Sequence, residues 1–181
     1  MRDKLKQLIL KKALKVSDKP IFKLSSGKLS TYYLDLRVIT LDPEGGYIVG
    51  NVIFDIVKEK NPDGVGGLTL GADPIAYATA IVSYLKKHPI KPFVVRKEPK
   101  KHGTGKQIEG NVKEGDNVFI VEDVVTTAGS CLKAAKVAKE NGLNVLGIIA
   151  LVDREEGGAE NIQKEGFDFY SVFKVSELLK R

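Results

Sequence analysis

Residues 118–130, VFIVEDVVTTAGS, constrain the fold more than any other stretch of this 181-residue chain. Val118, Phe119, Ile120 and Val121 are the β-branched and aromatic residues of a buried strand. After Gly129 the spacing turns helical, with Ala134, Ala135 and Ala138 set among lysines. Strand, turn and helix in that order form the building unit of an α/β protein. In the turn, Thr126, Thr127 and Ser130 supply hydroxyls, while Ala128 and Gly129 let backbone N–H groups approach a ligand closely. The unpaired amides and positive dipole end of the following helix favour an anion such as a phosphate. Glu122 and Asp123 would repel that anion, so they read as acceptors for sugar hydroxyls or as a means of placing a divalent cation. Helix capping alone is the competing reading of the same residues.

The remaining chain alternates in the same way. A small β region covers Phe22 to Leu36, followed by a helix near Glu44 to Lys58, a strand at Val65 to Leu68 and a helix from Pro74 to Lys87. A strand at Pro92 to Val95 precedes a long loop. Beyond strand 118–121 and helix 129–141 come a strand at Val145 to Asp153, a helix near Ala159 to Lys164, a strand at Phe169 to Phe173 and a short last helix. This order predicts an open parallel sheet flanked by helices. The first stretch, MRDKLKQLILKKALKV, is studded with lysines and has Leu5, Leu8, Ile9 and Leu14 at helical spacing, which predicts an amphipathic helix rather than a signal peptide or membrane span.

Two loops stand out for chemistry. Arg96, Lys97, Lys100 and His102 crowd a glycine-containing stretch, with Lys101 and Lys106 beside them, directly after the PFVV strand. Charge runs are usually solvated, but ligand loops of open α/β sheets follow strands in this manner, and Gly103, Gly105 and Gly110 give the stretch the freedom of a lid. In GGLTLGADPIA, Pro74 suits the first turn of a helix and Asp73 reads as its N-cap.

Residues 118–130 resemble the 5-phosphoribosyl 1-diphosphate (PRPP) motif of type I phosphoribosyltransferases: apolar strand, two acids (Glu122, Asp123), two apolar residues (Val124, Val125), then Thr126, Thr127, Ala128, Gly129 and Ser130. The basic loop is similar to the catalytic loop of orotate phosphoribosyltransferases, Arg-Lys-Glu-x-Lys-x-His-Gly, matched at Arg96, Lys97, Glu98, Lys100, His102 and Gly103. Phe22 to Arg37, FKLSSGKLSTYYLDLR, resembles the N-terminal signature of that family, and the turn from Gly71 to Pro74 resembles its pyrophosphate-binding loop. The resemblance runs from about Phe22 to Arg154. It departs at Ser25 and Gly71, where many bacterial members carry lysines; Lys23 or Lys28 stands close enough in sequence to compensate.

The resemblance implies a type I phosphoribosyltransferase fold, with residues 1–40 as an N-terminal helix and hood over the carboxyl ends of the strands and residues 41–181 as the PRPP-binding core. It implies transfer of phosphoribose from PRPP to orotate, giving orotidine 5'-monophosphate. Lys100 and His102 would be catalytic; Arg96, Lys97, Lys100, His102 and residues 122–130 would bind PRPP; Thr126 and Arg154 would bind orotate. Mg²⁺ would be held through PRPP and not by a dedicated protein site. A homodimer sharing the basic loop between subunits is also implied. Two other readings are a transferase for a different base and a PRPP-sensing regulator that binds nucleic acid; the complete basic loop, and the mere twenty or so residues before the first signature, count against them.

Composition adds limits. The net charge of +6 is spread over many segments and suits anionic substrates better than nucleic acid. Cys131 is the sole cysteine, which excludes an internal disulfide and suits a cytoplasmic protein; its place beside the turn reads as a small buried helix residue.

Overall fold

The computed structural model describes residues 1–23, 29–99 and 106–180. Helix α1 (Arg2–Leu8) continues through a π-helical turn at Ile9–Ala13 into strand β1 (Leu14–Val16). The expected helix through Val16 is therefore shorter than its spacing suggests. Its last three residues pair antiparallel with β4 (Tyr32–Leu34), Leu14 opposite Leu34 and Val16 opposite Tyr32. Three residues are too few for periodicity to separate helix from strand, and the pairing partner decides. Leu5, Ile9 and Ala13 are buried, whereas Leu8 and Leu14 are only partly so. Strands β2 (Phe22–Lys23) and β3 (Leu29–Ser30) form a hairpin; the turn expected at Ser26 and Gly27 lies outside the described residues.

Helix α2 (Arg37–Thr40) leads to α3 (Pro43–Val57), whose N-cap Asp42 accepts a hydrogen bond from the Gly45 amide at 2.9 Å. Then follow β5 (Gly64–Leu68), α4 (Asp73–Leu85), β6 (Lys91–Val95), β7 (Ile108–Gly110), β8 (Asn117–Val125), α5 (Gly129–Glu140), β9 (Asn144–Asp153), α6 (Gly158–Lys164), β10 (Phe169–Lys174) and α7 (Val175–Leu179). Six strands make one sheet in the order β10-β9-β8-β5-β6-β7. All neighbours are parallel except β7, which runs antiparallel to β6.

Alternation along the strands divides the core into two layers. Phe119, Val121, Ile149 and Leu151 join the cluster under α3 and α4, while Val118, Ile120, Ile148 and Ala150 join the one under α5. Both faces are covered, which is why these strands read as continuous apolar runs. Residues 1–40 share the first of these cores: Leu5, Ile9, Leu34, Leu36 and Ile39 pack with Ile48, Val49 and Phe173. Strand order reverses between β5 and β8, and in open α/β sheets ligands bind at such a switch point, outside the carboxyl ends of the strands.

Candidate active site

Four loops follow the carboxyl ends of four neighbouring strands: Arg154 after β9, 126–128 after β8, 69–72 after β5 and 96–99 after β6. The turn after β8 has the form of an anion cradle. Ala128, the N-cap of α5, sits in the left-handed region at φ 71° and offers no side chain to the first amides of the helix. Residues 124–131 and Glu122 enclose a cavity of about 100 Å³. A Cβ on Gly129 would meet no atom within 4 Å, so the outer side of the turn is open. From behind, Asn161 donates to the Thr127 carbonyl at 3.2 Å, and a Cβ on Gly158 would stand 2.7 Å from the Thr126 carbonyl oxygen. Glycine at 158 thus lets α6 rest directly against the turn.

β8 runs four residues beyond the predicted Val121 and carries both acids. Burial and the neighbouring Asp123 carboxylate push the Glu122 carboxyl up to about 9, so it is neutral at pH 7 and can donate as well as accept a hydrogen bond. Its Oε1 accepts from the Asp123 amide at 3.1 Å, and Asp123 Oδ1 accepts from the Val124 amide at 2.7 Å. The two acids line a second, open cavity of about 330 Å³ together with Leu34–Arg37 of the N-terminal segment, the Thr69–Gly71 turn, Lys97 and Ser130. Arg37 is held in a forked pair with Asp35, at 3.0 and 3.2 Å.

Asp73 is not the N-cap of α4 that its place before Pro74 suggests. It is the first helical residue, and its Oδ2 accepts from Thr69 Oγ1 at 2.7 Å while Oδ1 is buried without a partner. Pro74 does occupy the first turn. The helix starts one residue early because the 69–72 turn already brings Thr69 to the carboxylate.

The basic residues are spread along this rim. Lys97 lines the larger cavity, whereas Arg96 turns away to Glu109 at 3.5 Å. Lys133 of α5 holds the base of the loop, donating to the Lys97 carbonyl at 2.6 Å. Lys100 and His102 lie outside the described residues. Arg154 is fixed by its backbone amide to the Val125 carbonyl at 2.9 Å, one residue from Thr126. Its side chain, only 9% exposed, pairs with Glu156 at 2.9 Å and stacks on Tyr32 of the hood, so it is not a free surface arginine. Cys131 is buried, and desolvation pushes its thiol up to about 12, which makes it inert.

Residues 42–178 match the phosphoribosyl transferase domain family. The chain is 63% identical over 178 residues to an orotate phosphoribosyltransferase of Aquifex aeolicus (strain VF5), covering 98% of this chain and 97% of that one. The chain belongs to the orotate phosphoribosyltransferase family. A second orotate phosphoribosyltransferase, from Pyrococcus horikoshii, is 48% identical over 162 residues, 88% of this chain and 84% of that one. Among solved structures, Mycobacterium tuberculosis orotate phosphoribosyltransferase in complex with PRPP superposes with a TM-score of 0.80 at 35% identity, covering 98% of both chains.

Set against other orotate phosphoribosyltransferases, the departure at Gly71 has a local reason. A Cβ there would stand 2.8 Å from Glu122 Oε1 and 2.9 Å from Asp123 Oδ1, so glycine lets both carboxylates lie against the turn. Ser25 is outside the described residues. Asp35, Arg37, Thr69, Lys133, Glu156 and Asn161 reach the site without any pattern in the sequence that assigns each of them a role. Asp35 and Arg37 sit within the quoted N-terminal signature, but the pairing that turns them toward the site is visible only once the hood is folded.

Proposed function

We propose that the protein transfers the 5-phosphoribosyl group of PRPP to N1 of orotate, releasing pyrophosphate and giving orotidine 5'-monophosphate in de novo pyrimidine synthesis. The observation that carries this reading is a pair of neighbouring cavities at the switch point of the sheet, whose linings share Glu122, Val124 and Ser130. The open turn at 126–130 is sized for a phosphate, and the adjoining larger space presents Glu122 and Asp123 where ribose hydroxyls would need partners. Val124 to Ser130 then hold the 5'-phosphate end and Lys97 faces the pyrophosphate side. Arg154 and Thr126 take the base.

As the bond at C1 breaks, negative charge builds on pyrophosphate and the ribose gains oxocarbenium character, so cations must favour the transition state over the ground state. Lys100 is assigned as the main catalytic cation, with His102 donating a proton or hydrogen bond to the leaving group and Arg96 and Lys97 adding charge. Mg²⁺ would be held through PRPP oxygens and water, with the Asp123 carboxylate bordering the same cavity. Mg²⁺ would neutralise pyrophosphate oxygens; the chain itself orients ribose and phosphate.

A homodimer that shares the basic loop completes the reading. Its support is the exposed apolar side of α4, where Tyr77, Ile81, Tyr84 and Leu85 border an open groove of about 540 Å³ with Pro89 and Pro92. Among the described residues no helix is long and apolar enough to cross a membrane; a cytoplasmic location is proposed. Chromatography of a mixture of protein, orotate, PRPP and Mg²⁺ should show a product eluting with orotidine 5'-monophosphate, and excess EDTA should stop its formation. A full rate in EDTA would remove the metal from the mechanism, and the absence of any nucleotide product would remove the transferase reading.

A further inference from the structure

Glu156 has no part in the reading above, yet the chain invests in its placement. Glu155 lies in the left-handed region at φ 58° and Gly157 at φ 89°, which folds the segment after β9 back on itself. Glu155 is pinned twice: its amide donates to Asp153 Oδ1 at 2.8 Å, and its Oε2 accepts from the Ser176 amide at 2.9 Å. The result brings Glu156 Oε1 to 2.9 Å from Arg154 Nε and 3.5 Å from the Tyr32 hydroxyl. The guanidinium carbon sits 4.7 Å from the centre of the Tyr32 ring.

The geometry points to Glu156 as a positioning residue for base recognition, clamping the Nε edge of Arg154 against the face of Tyr32 so that the terminal nitrogens meet the substrate carboxylate as a preformed fork. A forked guanidinium grips a carboxylate well only in one plane, and stacking plus an edge contact removes the rotations that would spoil it. Because Tyr32 belongs to the hood and Arg154 to the core, the clamp also ties hood placement to the base site.

This inference rests on the proposed orotate chemistry, and the test separates the two. Dissociation constants for orotidine 5'-monophosphate and for PRPP are measured by calorimetry on the wild type, Glu156→Ala and Glu156→Gln. Glutamine keeps an acceptor for Nε and alanine does not. The clamp predicts about a tenfold or greater loss of nucleotide affinity in Glu156→Ala, PRPP affinity within about twofold, and recovery to within about threefold in Glu156→Gln. Unchanged nucleotide affinity in Glu156→Ala, or an equal loss for both ligands, overturns the clamp alone. A wild type that binds PRPP but not the nucleotide overturns the orotate assignment, and the clamp with it.

Discussion

Lys100→Ala is expected to lower kcat by about a hundredfold to a thousandfold. Removing one preorganised donor from a site where anionic charge develops costs about 2.7–4 kcal/mol of barrier. The affinity for PRPP should change far less, because the turn at 126–130 and the acids of β8 are untouched by the substitution. Steady-state kinetics at saturating PRPP and orotate give the number. A fall of less than tenfold would show that the loop between β6 and β7 is not the source of the main catalytic cation.

Arg154→Ala is expected to raise the KM for orotate about thirtyfold while leaving that for PRPP nearly unchanged. Losing the guanidinium would remove a charge-assisted hydrogen bond to the substrate worth about 1.5–3 kcal/mol, and it would leave the half-exposed Glu156 without its arginine. Equal loss for both substrates would mean that the arginine serves only the fold. The two variants together examine the shared loop. If each site takes its basic loop from the other subunit, mixed Lys100→Ala and Arg154→Ala dimers hold one intact site, and random exchange restores about a quarter of wild-type activity when assayed at orotate well below the KM of Arg154→Ala. Should the loop act within its own subunit, mixing restores nothing.

The parallel strands were legible because they are buried on both faces: Val118 to Val121 and Val145 to Asp153 read as strands without any partner in view. Where pairing rather than composition makes the strand, the sequence is silent. Ile108–Gly110 is a strand because Phe93 to Val95 offer it a ladder, and Leu14–Val16 leave the helical pattern for the same reason at β4. β8 outruns its apolar stretch because Glu122, Val124 and Val125 stay paired with Ala150, Val152 and Asp153 of β9. The strand-to-helix turn at 126–130 was legible because its small and hydroxyl-bearing residues are contiguous in the sequence. Asp73 misled because an acid before a helical proline signals an N-cap, and only the folded 69–72 turn supplies the nearer partner, Thr69. Arg154 stands out in the sequence by the motif it matches, but the groups that hold it, Tyr32 and Glu156, come from the N-terminal segment and from a turn whose first left-handed residue is Glu155 and not a glycine.

The most direct test follows the absorbance of orotate after mixing the purified protein with PRPP and Mg²⁺, with uracil and adenine in parallel reactions. Consumption of orotate alone is the predicted result. Turnover of uracil or adenine in its place would contradict the base assignment, and bound PRPP with no base consumed would contradict the transferase itself and favour a regulator.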